Sequence, residues 1–169
     1  VVLEGEGFRL RATGNEDSEL KALMEDESIL SNMSERRWYT EPMPSEMCFR
    51  LEVEGELIGE VSLKSIRWFN RKAEVSLFIV PKYQGKGFGK KALKLLMKHA
   101  FETFNLHRLE AEVFEYNTVS QKLLESLGFK LEGVSREARY YNGKYWGIFK
   151  YGILEDEFVK RENKEVDET

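Results

Sequence analysis

Residues 73–80 are rich in β-branched and aromatic side chains and stop at Pro81, as a buried-type strand would. The turn Pro81-Lys82-Tyr83-Gln84-Gly85-Lys86-Gly87-Phe88-Gly89-Lys90-Lys91 follows at once. From 89 to 104, Ala92, Leu93, Leu96, Ala100 and Phe104 recur at helical spacing, and in 108–114 Leu109, Ala111 and Val113 alternate onto one face. A strand, a crossover helix and a strand in that length predict a parallel pair with a right-handed connection. The glycines of the turn bare backbone N–H groups at a helix N-terminus, where the helix dipole adds positive potential; a pyrophosphate needs that arrangement. Lys86, Lys90 and Lys91 add charge. Position 90, where both a nucleoside-triphosphate loop and a dinucleotide fingerprint starting at Gly85 would need glycine, is lysine, so neither is supported.

The rest of the chain fits around this unit as one domain. With 169 residues, 41% hydrophobic and 33% charged, residues 1–154 are expected to form a single fold. Residues 155–169 carry seven acids against three bases and are expected to be a solvated acidic tail. The net charge of −4 then resides in that tail, and a balanced body argues against nucleic-acid binding. The longest apolar run, 75–80 interrupted by Ser76, is too short to span a membrane, and no leader segment is read; a soluble, cytoplasmic protein is expected. Cys48 has no second thiol to pair with and is expected to be buried and inert. Residues 8–12 read as a strand. Asn15 and Asp17 can cap a helix carrying Leu20, Leu23 and Met24, and a second helical piece is predicted over 28–37, ahead of Pro42 and Pro44. Strands are predicted over 47–53 and 57–66, joined by Glu54-Gly55-Glu56. A helix over 117–127 ends at Gly128, and Asn142-Gly143 marks a hairpin between two final antiparallel strands.

Gln84-x-x-Gly87-x-Gly89 between strand and helix resembles the acetyl-CoA signature of the GNAT superfamily. The resemblance extends through Asn105-Leu106-His107-Arg108-Leu109, Asn117-x-x-Ser120, Leu127-Gly128-Phe129 and Glu132-Gly133 to the branch holding ribosomal-protein alanine and polyamine N-acetyltransferases. It covers residues 55–154 well and the N-terminal third only by order of elements. It implies an α/β (α+β) fold of GNAT type: a mixed, mostly antiparallel twisted sheet with one parallel strand pair, flanked by helices. It also implies acetyl-CoA as cofactor, with Gln84, Gly85, Lys86, Gly87, Phe88, Gly89 and Lys90 around the pyrophosphate. In this family the parallel strands splay, and the pantetheine arm lies between them against backbone, here Leu77, Phe78, Ile79 and Val80. Asn117 would hold the thioester end; its plainer role is a helix N-cap.

For chemistry, the resemblance offers Glu74 as base and Ser120 near the departing sulfur, against the plain alternatives of a solvated glutamate and an exposed helix hydroxyl. Many family members place a tyrosine where this chain has Leu124. His99 and His107 lack the partners of a metal site, so no metal is expected. Cys48 lies far from the loop and has no histidine partner, which favours direct transfer over a covalent route. Asn117, Ser120 and the leucine at 124 fit the ribosomal-protein alanine branch, so a protein N-terminal amine is the expected acceptor, with a small amine as the alternative. Asn105-Leu106-His107 and the acids Glu25, Asp26, Glu27, Glu35, Glu41 and Glu46 favour a polyamine or other small amine. The missing tyrosine also permits a non-catalytic acetyl-CoA sensor. Tyr140, Tyr141, Tyr145, Trp146, Phe149 and Tyr151 around the last hairpin make a homodimer a candidate assembly.

Overall fold

The computed structural model describes residues 2–14, 16–32 and 43–168, and the chain divides into two compact units, 1–41 and 42–169. In the first unit, β1 (Val2–Gly5) pairs antiparallel with β2 (Phe8–Arg11). The alternation in 8–12 thus belongs to the second strand of a hairpin. Helix α1 (Ser18–Leu23) is capped by Asp17, whose carboxylate accepts from Leu20 N at 3.0 Å. Asp26 likewise caps the short α2 (Glu27–Leu30). The predicted continuation of that helix to residue 37, together with Asn15, Glu35 and Glu41, lies outside the described residues.

The second unit runs β3 (Met47–Val53), β4 (Glu56–Arg67), β5 (Lys72–Ile79), α3 (Phe88–Glu102), β6 (Arg108–Phe114), α4 (Thr118–Ser126), β7 (Lys130–Tyr141), β8 (Lys144–Leu154) and α5 (Glu155–Asp167). Its six-stranded sheet has the order β3-β4-β5-β6-β8-β7, antiparallel throughout except for the parallel pair β5/β6. Local chemistry accounts for the two hairpins. Glu54 and Gly55 at the β3–β4 turn, and Asn142 and Gly143 at the β7–β8 turn, all take positive φ, the two-residue geometry that matches strand twist. Helix α3 supplies the crossover between β5 and β6, and its buried face (Leu93, Leu96, Met97, Ala100, Phe101) meets the inward residues of the strands, among them Val61, Leu63, Val75, Leu109 and Ile153. At Gly89 an added Cβ would sit 3.2 Å from Leu77 Cδ2 and 3.3 Å from Ile79 Cδ1. Glycine there lets the start of α3 lie close against β5.

Two expectations need correction. The acidic C-terminal stretch is a helix, not a solvated end. Phe158 is buried in the core and packs on Phe101 with ring centroids 5.2 Å apart. Lys94 of α3 pairs with Glu162 at 3.2 Å and with Glu165, and Arg161 Nη2 donates to Ser126 O at 2.6 Å. The acids Glu155, Asp156 and Glu157 occupy the first turn of α5, where the helix dipole favours negative charge. Net charge over the segment concealed a helix with a single aromatic anchor. Cys48 is exposed, not buried: it lies on β3 at the sheet edge and its thiol donates to Glu46 Oε1 at 3.1 Å. Among the described residues, no helix is long and apolar enough to cross a membrane.

Candidate active site

Strands β5 and β6 pair at Lys72–Arg108, Ala73–Leu109 and Glu74–Glu110, and then part. Beyond Glu74, β5 continues to Ile79 paired to β4. The phase of that pairing decides which backbone groups face the gap. Val80 N donates to Ile58 O at 2.8 Å, so the alternation of an antiparallel ladder turns the amides of Phe78 and Ser76 toward β4 as well. Those of Leu77 and Ile79, beyond the last β5–β6 pair, point the other way, into the opening. Gln84 Nε2 donates to Ile79 O at 2.7 Å and ties the turn to the end of the strand.

Below the turn lies a cleft of about 530 Å³ lined by Leu77, Phe78, Ile79, Tyr83, Gln84, Gly85, Gly87, Phe88, Gly89, Lys90, Asn117, Val119, Ser120 and Leu123. Gly85 and Gly87 take φ of +76° and +86°, which L-residues rarely adopt. Gly87 is the N-cap of α3 and supplies no side-chain cap, so first-turn N–H groups of the helix are left for an anion. Of the residues expected around a cofactor, Val80 and Lys86 do not line the cleft. The Val80 amide is engaged by β4, and the Lys86 ammonium lies 5.3 Å from the Tyr83 ring. Amide donors and Lys90 at one end, apolar walls beyond and cleft-facing strand amides suit a ligand with an anionic head and an amide-bearing arm, and acetyl-CoA is such a molecule.

A second cavity, about 190 Å³, shares Leu77, Asn117, Ser120 and Leu123 with the cleft and adds Glu74, Ser76, Glu112, Phe114 and Leu124 among its walls. The structure therefore brings Glu74, Ser120 and Asn117 to one place. Asn117 does cap α4, its Oδ1 accepting from Ser120 N at 3.2 Å. The cap uses only the oxygen, which leaves the carboxamide NH₂ for a ligand. Burial raises the Glu74 carboxyl above its ordinary pKa, and the nearby carboxylates of Glu112 and Glu110 add to the rise, opposed by Lys150 and Lys64. A carboxylate with a raised pKa is a better proton acceptor near neutral pH. Leu124 is buried at this cavity, so the position where many relatives carry a phenol offers no proton. The hydroxyls in the wall are Ser76 and Ser120. Sequence reasoning missed Tyr83, Val119 and Leu123 in the cleft, which carry no distinguishing pattern. It also missed Glu112, which was readable: on β6, Glu110 and Glu112 alternate with the core residues Leu109, Ala111 and Val113 and so share the face of Glu74.

A parallel strand pair that opens over a glycine turn at a helix N-terminus is the arrangement the resemblance to acetyl-CoA-dependent transferases implies. Residues 10–130 match the family described as Acetyltransferase (GNAT) domain, and the chain belongs to that family. Members of this family use acetyl-CoA as acetyl donor. It is 34% identical over 115 residues to the spermidine N(1)-acetyltransferase of Escherichia coli K12, covering 68% of this chain and 62% of that protein. The spermidine N(1)-acetyltransferase of Vibrio cholerae is 32% identical over 110 residues, 65% of this chain and 64% of the relative. The chain thus spans under two thirds of the length of these relatives. A mutant form of the spermidine/spermine N-acetyltransferase SpeG from Vibrio cholerae superposes with a TM-score of 0.67 at 32% identity, covering 70% of this chain and 72% of that one.

Proposed function

We propose that the protein transfers an acetyl group from acetyl-CoA to a primary amine by direct attack in a ternary complex, and that the acceptor is a polyamine of the spermidine type. The observation that carries the reaction is the convergence of Glu74, Asn117 and Ser120 where the cleft between β5 and β6 meets the second cavity. Acetyl-CoA supplies the thioester. The amine nitrogen bonds to the acetyl carbon while its proton passes to Glu74; the carbon–sulfur bond breaks, and the sulfur takes a proton from solvent, directly or relayed through the Ser120 hydroxyl, which is reprotonated from water as it donates. Leu77 N–H, aimed into the opening, is placed to donate to the carbonyl oxygen as charge builds there. Cys48 takes no part: Glu46 beside it raises the thiol pKa, which disfavours the nucleophilic thiolate.

The acceptor rests on similarity to spermidine N-acetyltransferases over about two thirds of the chain. A protein N-terminal amine is the second reading, favoured by Leu124 and Ser120 in the cavity wall. Release of free CoA thiol over spermidine, spermine, putrescine and N-terminal peptides tests both. Highest turnover on spermidine or spermine is expected, and highest turnover on a peptide would replace the polyamine reading with the second one. Tight acetyl-CoA binding with no turnover on any amine would make the protein a sensor. A homodimer through the β7–β8 hairpin, where Tyr140 and Tyr145 are 63% and 65% exposed, is a separate proposal. Light scattering that gives a 19.8 kDa particle would remove it.

A further inference from the structure

The carboxylates around Glu74 are unevenly neutralised. The cross-strand register sets Lys64 of β4 on one side of Glu74 and Glu110 of β6 on the other. Glu112, the next residue of β6 on that face, lines the same cavity as Glu74. Glu110 accepts from Lys72 Nζ and from Arg108 Nε, each at 3.0 Å. Glu112 accepts from Nζ of Lys150, its directly opposed residue on β8, at 3.1 Å. Among the described residues, Glu74 makes no such bond.

We propose that Lys150 is a positioning residue for the transfer: by clamping Glu112 it leaves Glu74 as the carboxylate of the cavity free to take the proton of the amine. The inference rests on reading Glu74 as the base. The charged groups facing Glu74 are Lys64 and Arg67 from β4, Glu110 and Glu112 from β6 and Lys150 from β8, with Lys72 on its own strand. Removing the Lys150 charge acts on Glu74 twice in the same direction: one attracting cation is lost, and Glu112 is left uncompensated to repel. Both effects favour the protonated Glu74, which cannot accept a proton. Removing the Glu112 charge acts oppositely, because one repelling anion is lost and Lys150 is freed to attract.

The experiment is the pH dependence of kcat at low ionic strength, with saturating acetyl-CoA and spermidine, or the N-terminal peptide if the amine panel selects it. Lys150→Met should move the acid limb up by about half a pH unit, from charges several ångströms apart at a partly exposed site. Glu112→Gln should move it down, and Lys150→Arg should return it to the wild-type position. A merely structural role for the pair would lower activity in both neutralising variants without opposite displacements. An unmoved limb in Lys150→Met, with Glu74→Gln abolishing the limb, would overturn this inference and leave Glu74 as base. If the limb persists in Glu74→Gln, the reading of Glu74 itself fails, and with it this proposal.

Discussion

Gly59 couples the packing of β4 to the strand that walls the cleft. It sits buried on β4 opposite Ile79, and an added Cβ would run into the Phe78 carbonyl oxygen and lie 3.2 Å from both Phe78 C and Ile79 Cα. Carbon atoms pack best at about 3.5–4.0 Å, so all three contacts are too close, and all three are with backbone that has no rotamer to change. The backbone of Gly59 is one that alanine adopts freely, so the cost is steric and not conformational. Forced overpacking costs up to about 3 kcal/mol, and the reduced freedom of the unfolded chain returns about 0.4–1 kcal/mol. Gly59→Ala should thus lose about 2 kcal/mol, or roughly 4–8 °C in Tm for a chain of this size. The strand that must give way is β5, whose residues Leu77 to Ile79 wall the cleft, so acetyl-CoA should also bind more weakly. Thermal unfolding and calorimetric titration with acetyl-CoA measure the two effects. Gly133→Ala is the control, since nothing lies within 4 Å of its added Cβ. An unchanged Tm would refute the packing argument, and a lowered Tm with affinity intact would refute the link from β4 to the cleft.

Gly87→Glu should weaken acetyl-CoA binding roughly tenfold or more beyond Gly87→Ala, because both residues pay for φ of +86° and only glutamate opposes the pyrophosphate with charge. Calorimetry on both variants checks it. Glu74→Gln should lower kcat about a hundredfold if the carboxylate takes the proton of the amine. The same variant should be more stable than wild type at pH 7. The folded state raises the Glu74 pKa, so the ionised carboxylate costs stability above that value, and the gain should vanish below about pH 4, where both states are protonated. Melting curves at the two pH values test the sign. Cys48→Ala should retain full turnover, and an acetyl group trapped on Cys48 before acceptor is added would defeat direct transfer.

The sequence carried most of this architecture because the defining features are local. Strand, glycine turn, amphipathic helix and alternating strand are each written in fewer than twenty residues, and Arg108–Phe114 forms as a strand with the limits its alternation predicts. Asn142-Gly143 folds as the turn its chemistry demands. What escaped was set by contacts between distant segments. Within residues 155–169 the acidic first turn and Phe158 are compatible with a helix, but nothing there says where it docks; the partners that hold it, Phe101, Lys94 and Ser126, come from α3 and the end of α4. Cys48 misled for a related reason. A thiol on a short apolar strand is a fair core residue, but β3 is the edge of the sheet, and edge position is a property of strand order.

The same distinction separates the two halves of the candidate site. The cofactor side depends on backbone: glycine conformations, first-turn amides and the phase of a ladder, all dictated within or next to the turn, and most residues expected there do line the cleft. The acceptor side depends on side chains gathered across strands, with Glu74 from β5, Glu112 from β6, Ser120 from α4 and Lys150 from β8. Their cooperation follows from where β5 and β6 stop pairing, after Glu74–Glu110. Had the pairing run further, the gap would close over Leu77 and its amide would be spent on β6. Had it stopped earlier, Glu74 would be drawn away from Glu110 and Glu112, and its carboxyl would lose part of what raises its pKa. The point of divergence therefore fixes both the opening proposed for the arm of the cofactor and the electrostatics of Glu74, the proposed base. Substitutions that move it should alter cofactor affinity and the acid limb of the rate profile together.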